Sequence, residues 1–369
     1  TKGYRGNTVG KSINQERPPV PRHASEKRKM MKFPEFMRKY LPFLAALSIS
    51  TALVVGYYVS HVKTLKPAIP FLLFVMLYPM MVNLRVEDIG KALKDYRLFS
   101  VAVLMNFLLT PILGALWTYV LFSHADPYLA VGFILKVTVP CSGMVAAWTG
   151  YAKGKVESAL VVMALSMVLA IFMVPFWMWA LAGMYVTIDL WMIFQRMLLI
   201  VVLPLAAGLA TRKILVRKYG PKKYKQRIAL YFPAISTCGM LFMIFIIIST
   251  QAKLIMNNFE WMLLVILGIG TLYPILFGLA ILICKLAHMD HGDGMALGYS
   301  VAAKNHAITI GIATTAFGGT LAVLPAAVAP IIQIPTMILY LSFSERIKRF
   351  LHPQGIPLQT EMGKKANPS

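Results

Sequence analysis

The stretch VPCSGMVAAWTGYAKGK, Val139 to Lys155, lies in the second half of an apolar run that begins near Tyr128. A run of that length predicts a helix crossing a bilayer, because roughly 18 or more apolar residues cover about 30 Å of hydrocarbon. Its middle nevertheless carries Pro140, Cys141, Ser142 and Gly143. Proline removes a backbone donor and clashes with the preceding turn, so the helix is expected to break here, with a thiol at the break.

Similar apolar runs recur along all 369 residues, of which 58% are hydrophobic and 14% charged. The mean hydropathy is +0.67. Soluble domains carry about 25% charged residues, so composition points to an all-α polytopic membrane protein. Ten spans are predicted, near 41–60, 67–84, 98–122, 127–150, 157–185, 188–211, 228–250, 259–287, 294–316 and 321–343. The net charge of +23 sits between these spans rather than on one soluble face. It therefore reads as a topology signal near an anionic leaflet, and no nucleic-acid partner is expected. Cys141, Cys238 and Cys284 all fall in or beside apolar runs, which suggests no disulfide framework.

The polar, basic opening and the tail beyond His352 read as disordered cytoplasmic arms. Cationic residues then set the direction of the chain. One set of loops holds Arg85, Lys91, Lys94, Arg97, Lys153, Lys155, eight more from Arg212 to Arg227, and Lys285. The opposite loops hold only Lys63, Lys66 and Lys253. By the positive-inside rule both termini face the cytoplasm, and the expected location is the plasma membrane.

Ten spans divide into five plus five, and an odd number per half makes the second half enter from the opposite side. The expected organisation is a basic arm over 1–40, inverted five-helix repeats over 41–187 and 188–345, and a cytoplasmic tail over 346–369. The broken fourth span then has the ninth as its counterpart, GMALGYSVAAKNHAITIGIATTAFGG, with Lys304, Asn305 and His306 in its middle. Interrupted segments at matching places in two halves point to a transporter's midplane binding site. The competing reading is that Pro, Gly, Ser and Cys serve only as kinks or close-packing points.

Several residues are candidates for that site. Lys304 is expensive inside a membrane and should face a cavity or a partner; Lys136, in FILKVTVPC, is the second such case. A buried amine also offers a proton-coupling role, against the plainer reading of a lysine bonded to carbonyls of a broken helix. Cys141 is a soft ligand suited to thiophilic species, with Pro140, Ser142, Asn305 and His306 beside it as expected substrate contacts. No acid lies in the interior of a predicted span, which argues against a sodium site, and no metal or cofactor is expected. A membrane enzyme using Cys141 and His306 is a remote alternative, because no third orienting acid is visible.

PCSGMVAAWTGYAKG resembles the fourth-span signature of the arsenical-resistance (arsenite efflux) permeases, with its Pro-Cys pair, Met-Val pair and Trp before a Lys/Gly-rich turn. LYPMMVNLRVEDIGKAL is similar to their second span, MNFLLTPIL to the third, and AFGGTLAVLPAAVAPIIQIP to the end of the second half. Those permeases share a superfamily with the bile acid:sodium symporters. The resemblance implies ten helices in two inverted repeats, a panel and a core domain, and two crossed broken helices. It implies Cys141 as the arsenite thiol. Two departures are visible: Lys304, Asn305, His306 and Ala307 stand where the permeases have Asn-Asn-Phe-Glu, and Gln333 stands where they have Glu before Val-Pro. Carboxylate-based coupling is therefore not carried over, and Lys304 and Gln333 join Lys136 as candidate coupling residues.

The expected function is alternating-access transport of arsenite or a related thiophilic oxyanion, with a proton as candidate coupling ion. The alternative is sodium-independent transport of small organic anions. The bilayer is the expected partner, with a monomer or homodimer as the assembly.

Overall fold

The computed structural model describes residues 32–83, 96–318 and 320–351, and no strand occurs among them. Residues 1–31 of the expected arm over 1–40, and 352–369 of the expected tail over 346–369, lie outside the described residues. Helix α1 spans Lys32–Tyr58, so it begins within the stretch read as a polar arm. It bends by 68° between Leu41 and Phe43, beside Pro42. A 3-10 turn over Ser60–Ala68 leads into α2, Ile69–Val82. Helix α3 covers Tyr96–Phe122 and contains a π turn at Met105–Leu109.

The run expected as one span from 127 to 150 is two helices, α4 (Pro127–Thr138) and α5 (Val145–Tyr151). The cause is local. Val139 precedes a proline and takes extended backbone (φ −63, ψ 157), which ends α4. Then follow α6 (Val156–Ala182), α7 (Leu190–Tyr219), α8 (Tyr231–Asn257) and α9 (Phe259–Leu286). The ninth expected span is likewise divided, into α10 (His291–Ala302) and α11 (His306–Ala316). Helix α12 (Leu321–Ser342) and the short α13 (Ser344–Leu351) complete the described chain.

Among the described residues six helices are long and apolar enough to cross a membrane, or seven if the bent α1 is one span. Helices α2, α4 and α11 have apolar stretches too short to cross alone. At 1.5 Å per residue, the 12 residues of α4 rise about 18 Å, roughly half a bilayer's hydrocarbon. Large apolar side chains are exposed around the bundle, including Phe71, Phe172 and Phe242. A soluble protein would not leave so extensive an apolar surface bare; lipid covers it here.

Helices α1 and α2 both pack on α8, and α2 also on α7, while α3, α6, α9 and α12 pack against the broken segments; α1 meets α12 and the start of α7 meets α6 where the two groups join. Inside the second group, Phe277 stacks on Tyr340 at 3.8 Å between centroids, and Trp148 of α5 stacks on Tyr299 of α10 at 6.3 Å.

Candidate functional site

The two interrupted segments meet. Cys141 and Lys304 form an isolated antiparallel bridge, although 163 positions separate them. Ser142 N donates to Ala303 O at 2.7 Å, and Asn305 N donates to Pro140 O at 3.0 Å. Unwound backbone deep in a membrane must find partners within the protein, and here each break satisfies the other.

Four half-helices radiate from this contact. On one side, Tyr128 at the start of α4 lies 6.4 Å from Phe317 at the end of α11, so these halves run antiparallel. On the other side, the turn after α5 meets the start of α10, where Lys155 N donates to Gly292 O at 3.2 Å. Lys155 Nζ also bonds Asp290, and Asp293 at 2.7 Å. Burial works against the Lys155 ammonium, but the hydrogen bonds and charges of the two aspartates outweigh it and hold its pKa above the usual lysine range. For Asp290, burial likewise opposes the charge, yet the Lys155 hydrogen bond and backbone amides hold it below the usual carboxylate range. The two broken spans are thus joined at the centre and clasped at one end.

At the centre, Cys141 is fully buried, and its Sγ lies 3.2 Å from Ser166 Oγ. Ser166 donates its own hydrogen to Met163 O at 2.9 Å, so the thiol is left to donate to the serine oxygen. Ser142 Oγ accepts from Met144 N at 3.3 Å, closing the turn after the break. Asn305 caps α11, its Oδ1 accepting from Ile308 N at 3.2 Å. Much of the polar capacity of Ser142 and Asn305 therefore shapes the crossing.

The two buried lysines differ. Lys304 Nζ donates to Asn106 Oδ1 at 3.1 Å, and Asn106 Nδ2 donates to Ala102 O and to Ser300 Oγ at 3.1 Å. Lys136 Nζ is fully buried without a hydrogen-bond partner among the described residues, as is Nδ1 of His306. Gln333 is buried on α12, with Oε1 unpartnered. Every Asp and Glu among the described residues stands in the first turn of a helix or caps one, so the interior is cationic. Cys141 is paired with a hydroxyl rather than with a base, which removes the arrangement that hydrolysis would require.

Sequence reasoning missed Asn106, Ser166 and Ser300. The signal for Asn106 was present, an amide side chain five positions before Pro111 in MNFLLTPIL. Nothing marked the two serines, which are common in membrane helices. No group of three or more His, Cys, Asp or Glu able to hold a metal ion occurs among the described residues.

A model of the Sodium Bile acid symporter family matches residues 70–258. An arsenical-resistance protein of Corynebacterium glutamicum is 25% identical over 333 residues, covering 82% of this chain and 87% of that protein. A second, of Alkaliphilus metalliredigens, is 25% identical over 336 residues, covering 85% and 94%. An uncharacterized transporter of Synechocystis is 25% identical over 342 residues, covering 84% and 88%.

Proposed function

The chain belongs to the Sodium Bile acid symporter family, and from that premise we propose that it is an alternating-access exporter of arsenite or a related thiophilic oxyanion, with Cys141 at the binding site. The coarser part follows from the family: the chain is a multi-pass membrane protein and a secondary transporter, not an enzyme. The substrate rests on similarity to two arsenical-resistance proteins and on one observation. That observation is the backbone bridge between Cys141 and Lys304, which puts a buried thiol where two broken helices cross.

The chemistry is specific to a soft centre. A trivalent arsenic hydroxide exchanges one hydroxyl for the Cys141 sulfur, the thiol proton leaves with that hydroxyl as water, and reversal releases the cargo. Hard ions gain little from such a ligand. Pro140, Ser142, Asn305 and His306 would shape the pocket around the thiol. Lys304, as a resident cation, would stand in for a coupling sodium, with Gln333 of α12 as a further coupling residue and a proton as the exchanged ion.

In this reading the helices form ten spans in two inverted repeats, over 41–187 and 188–345. The packing of α1 and α2 on α8, and of α7 on α2, supports a panel, and the remaining helices a core. Both termini would face the cytoplasm of a plasma-membrane protein working as a monomer or homodimer.

The test is arsenite uptake into everted vesicles, beside a panel of organic acids, with and without a proton gradient. Wild type accumulates arsenite and Cys141→Ser loses at least tenfold, whereas Cys284→Ser, at a packing cysteine, transports normally. Equal arsenite uptake by Cys141→Ser and wild type sinks the reading.

A further inference from the structure

Helices α1 and α8 touch and then part. They touch at Gly56, near the end of α1, where a Cβ would collide with the Ser249 carbonyl and with Ala252 of α8. Only glycine lets the two backbones come so close. Two residues later α1 ends at Tyr58, and the chain leaves along the 3-10 turn of Ser60–Ala68, while α8 runs on to Asn257. The divergence leaves a cavity of about 370 Å³. That size falls within the roughly 300–1,000 Å³ of small-molecule sites.

The cavity wall is aliphatic, with a single charged residue on it. Val59, Val62 and Leu254 supply the apolar surface. Ser249 and Thr250 also line it, but their hydroxyls are committed to the carbonyls of Phe245 and Ile247, earlier on α8. The charge is Lys253, which is exposed and has no acid paired with it among the described residues. The 3-10 turn and α8 contain no acid in their sequences, and the turn adds Lys63 and Lys66.

The depth of the cavity matches a lipid headgroup. Helix α8 has 27 residues and rises about 40 Å, more than the hydrocarbon is thick. Lys253, near its end, therefore lies at the membrane surface opposite the basic loop that precedes the helix. Tyr57 and Tyr58 stand exposed where α1 ends, and tyrosines gather in the zone between hydrocarbon and water. A solute here meets hydrocarbon on one side and water on the other. A small hydrophilic anion would leave the aliphatic wall bare, whereas an anionic amphiphile satisfies both the wall and Lys253.

We infer that the cavity between the ends of α1 and α8 is a site for an acidic phospholipid, with the phosphodiester against Lys253 and the upper part of one chain against Val59, Val62 and Leu254. A net negative headgroup suits an end of the bundle that carries three lysines; a phosphatidylcholine brings its own cation. The site shares no residue with the crossing of the broken spans and does not depend on what is transported there. Bound lipid fills the wedge and fastens α1 to α8.

Thermal unfolding of the purified full-length protein in a neutral maltoside detergent tests this. Short-chain phosphatidylglycerol is the probe, beside phosphatidylcholine of the same chain length and inorganic phosphate. Phosphatidylglycerol raises the Tm of wild type with dose, phosphatidylcholine needs at least tenfold more, and phosphate does nothing at the same concentrations. Lys253→Gln needs at least tenfold more phosphatidylglycerol, while Lys253→Arg keeps the wild-type response. Leu254→Trp, which fills the cavity, loses the response. Lys213→Gln removes the same charge near the end of α7 and responds as wild type does. Equal responses of wild type to the two lipids overturn the site, as do equal responses of wild type and Lys253→Gln to phosphatidylglycerol. An equal loss in Lys213→Gln overturns it too, because net charge would then be the cause. Phosphate that reproduces the shift overturns the lipid, and a Leu254→Trp protein that responds like wild type overturns the placement of its chain.

Discussion

Lys304 Nζ donates to Asn106 Oδ1 at 3.1 Å across 198 positions of sequence, joining the ninth expected span to the π turn of α3. The bond is asymmetric. Asn106 keeps Ala102 O and Ser300 Oγ as partners without the lysine, whereas the lysine has no other described acceptor. Asn106→Leu therefore strands a buried charge and should cost about 3–5 kcal/mol, and Lys304→Met should cost less. The double variant should be more stable than Asn106→Leu alone. Melting temperatures of the four proteins in detergent give the coupling; additive effects would show that the two side chains do not depend on each other.

Ser166 orients the thiol of Cys141 through a single weak bond. Ser166→Ala should cost about 1 kcal/mol of stability, the ordinary net worth of a neutral hydrogen bond. Arsenite movement should fall several-fold while the protein remains folded. Unaltered initial rates in vesicles would mean that the thiol needs no fixed direction.

Gly132 has no room for a side chain, because a methyl there would sit 2.2 Å from the carbonyl oxygen of Ala322. Gly132→Ala must push α4 away from the beginning of α12, at a cost of about 1–3 kcal/mol. Lower expression and a lower melting point are expected. A protein as stable as wild type would show that the contact yields freely.

The Lys155 clasp should respond to acid. Asp290 is held below its unfolded value, so its contribution is present above about pH 4 and lost as pH falls through the lower folded value. Lys155 is held above its unfolded value, so its share is present below about pH 10 and lost only as pH rises through the folded one. At neutral pH both are intact. Because Lys155 and Asp290 are about half exposed, Lys155→Ala should cost only about 0.2–1 kcal/mol. That penalty should shrink as the buffer is taken from pH 7 toward pH 3; a gap of constant size would show the clasp to be irrelevant.

The crossing was largely legible in the chain. Pro140 forbids continuous helix in the fourth span, and Lys304 with Asn305 marks the matching place in the ninth; the structure puts them side by side. The partners of these residues were not legible, for a physical reason. A serine or asparagine in a membrane helix satisfies itself on the carbonyl three or four residues back, as Ser166 and Asn106 both do. Only contacts spanning 25 to 198 positions separate a quiet polar residue from a working one.

The pairing of 140–142 with 303–305 uses main-chain atoms alone. The Cys141 side chain takes no part in that pairing, so the thiol can be exchanged while the joint persists. Such a joint lets one framework be re-chambered for a new solute by a few substitutions, as a lock is re-keyed without replacing the door.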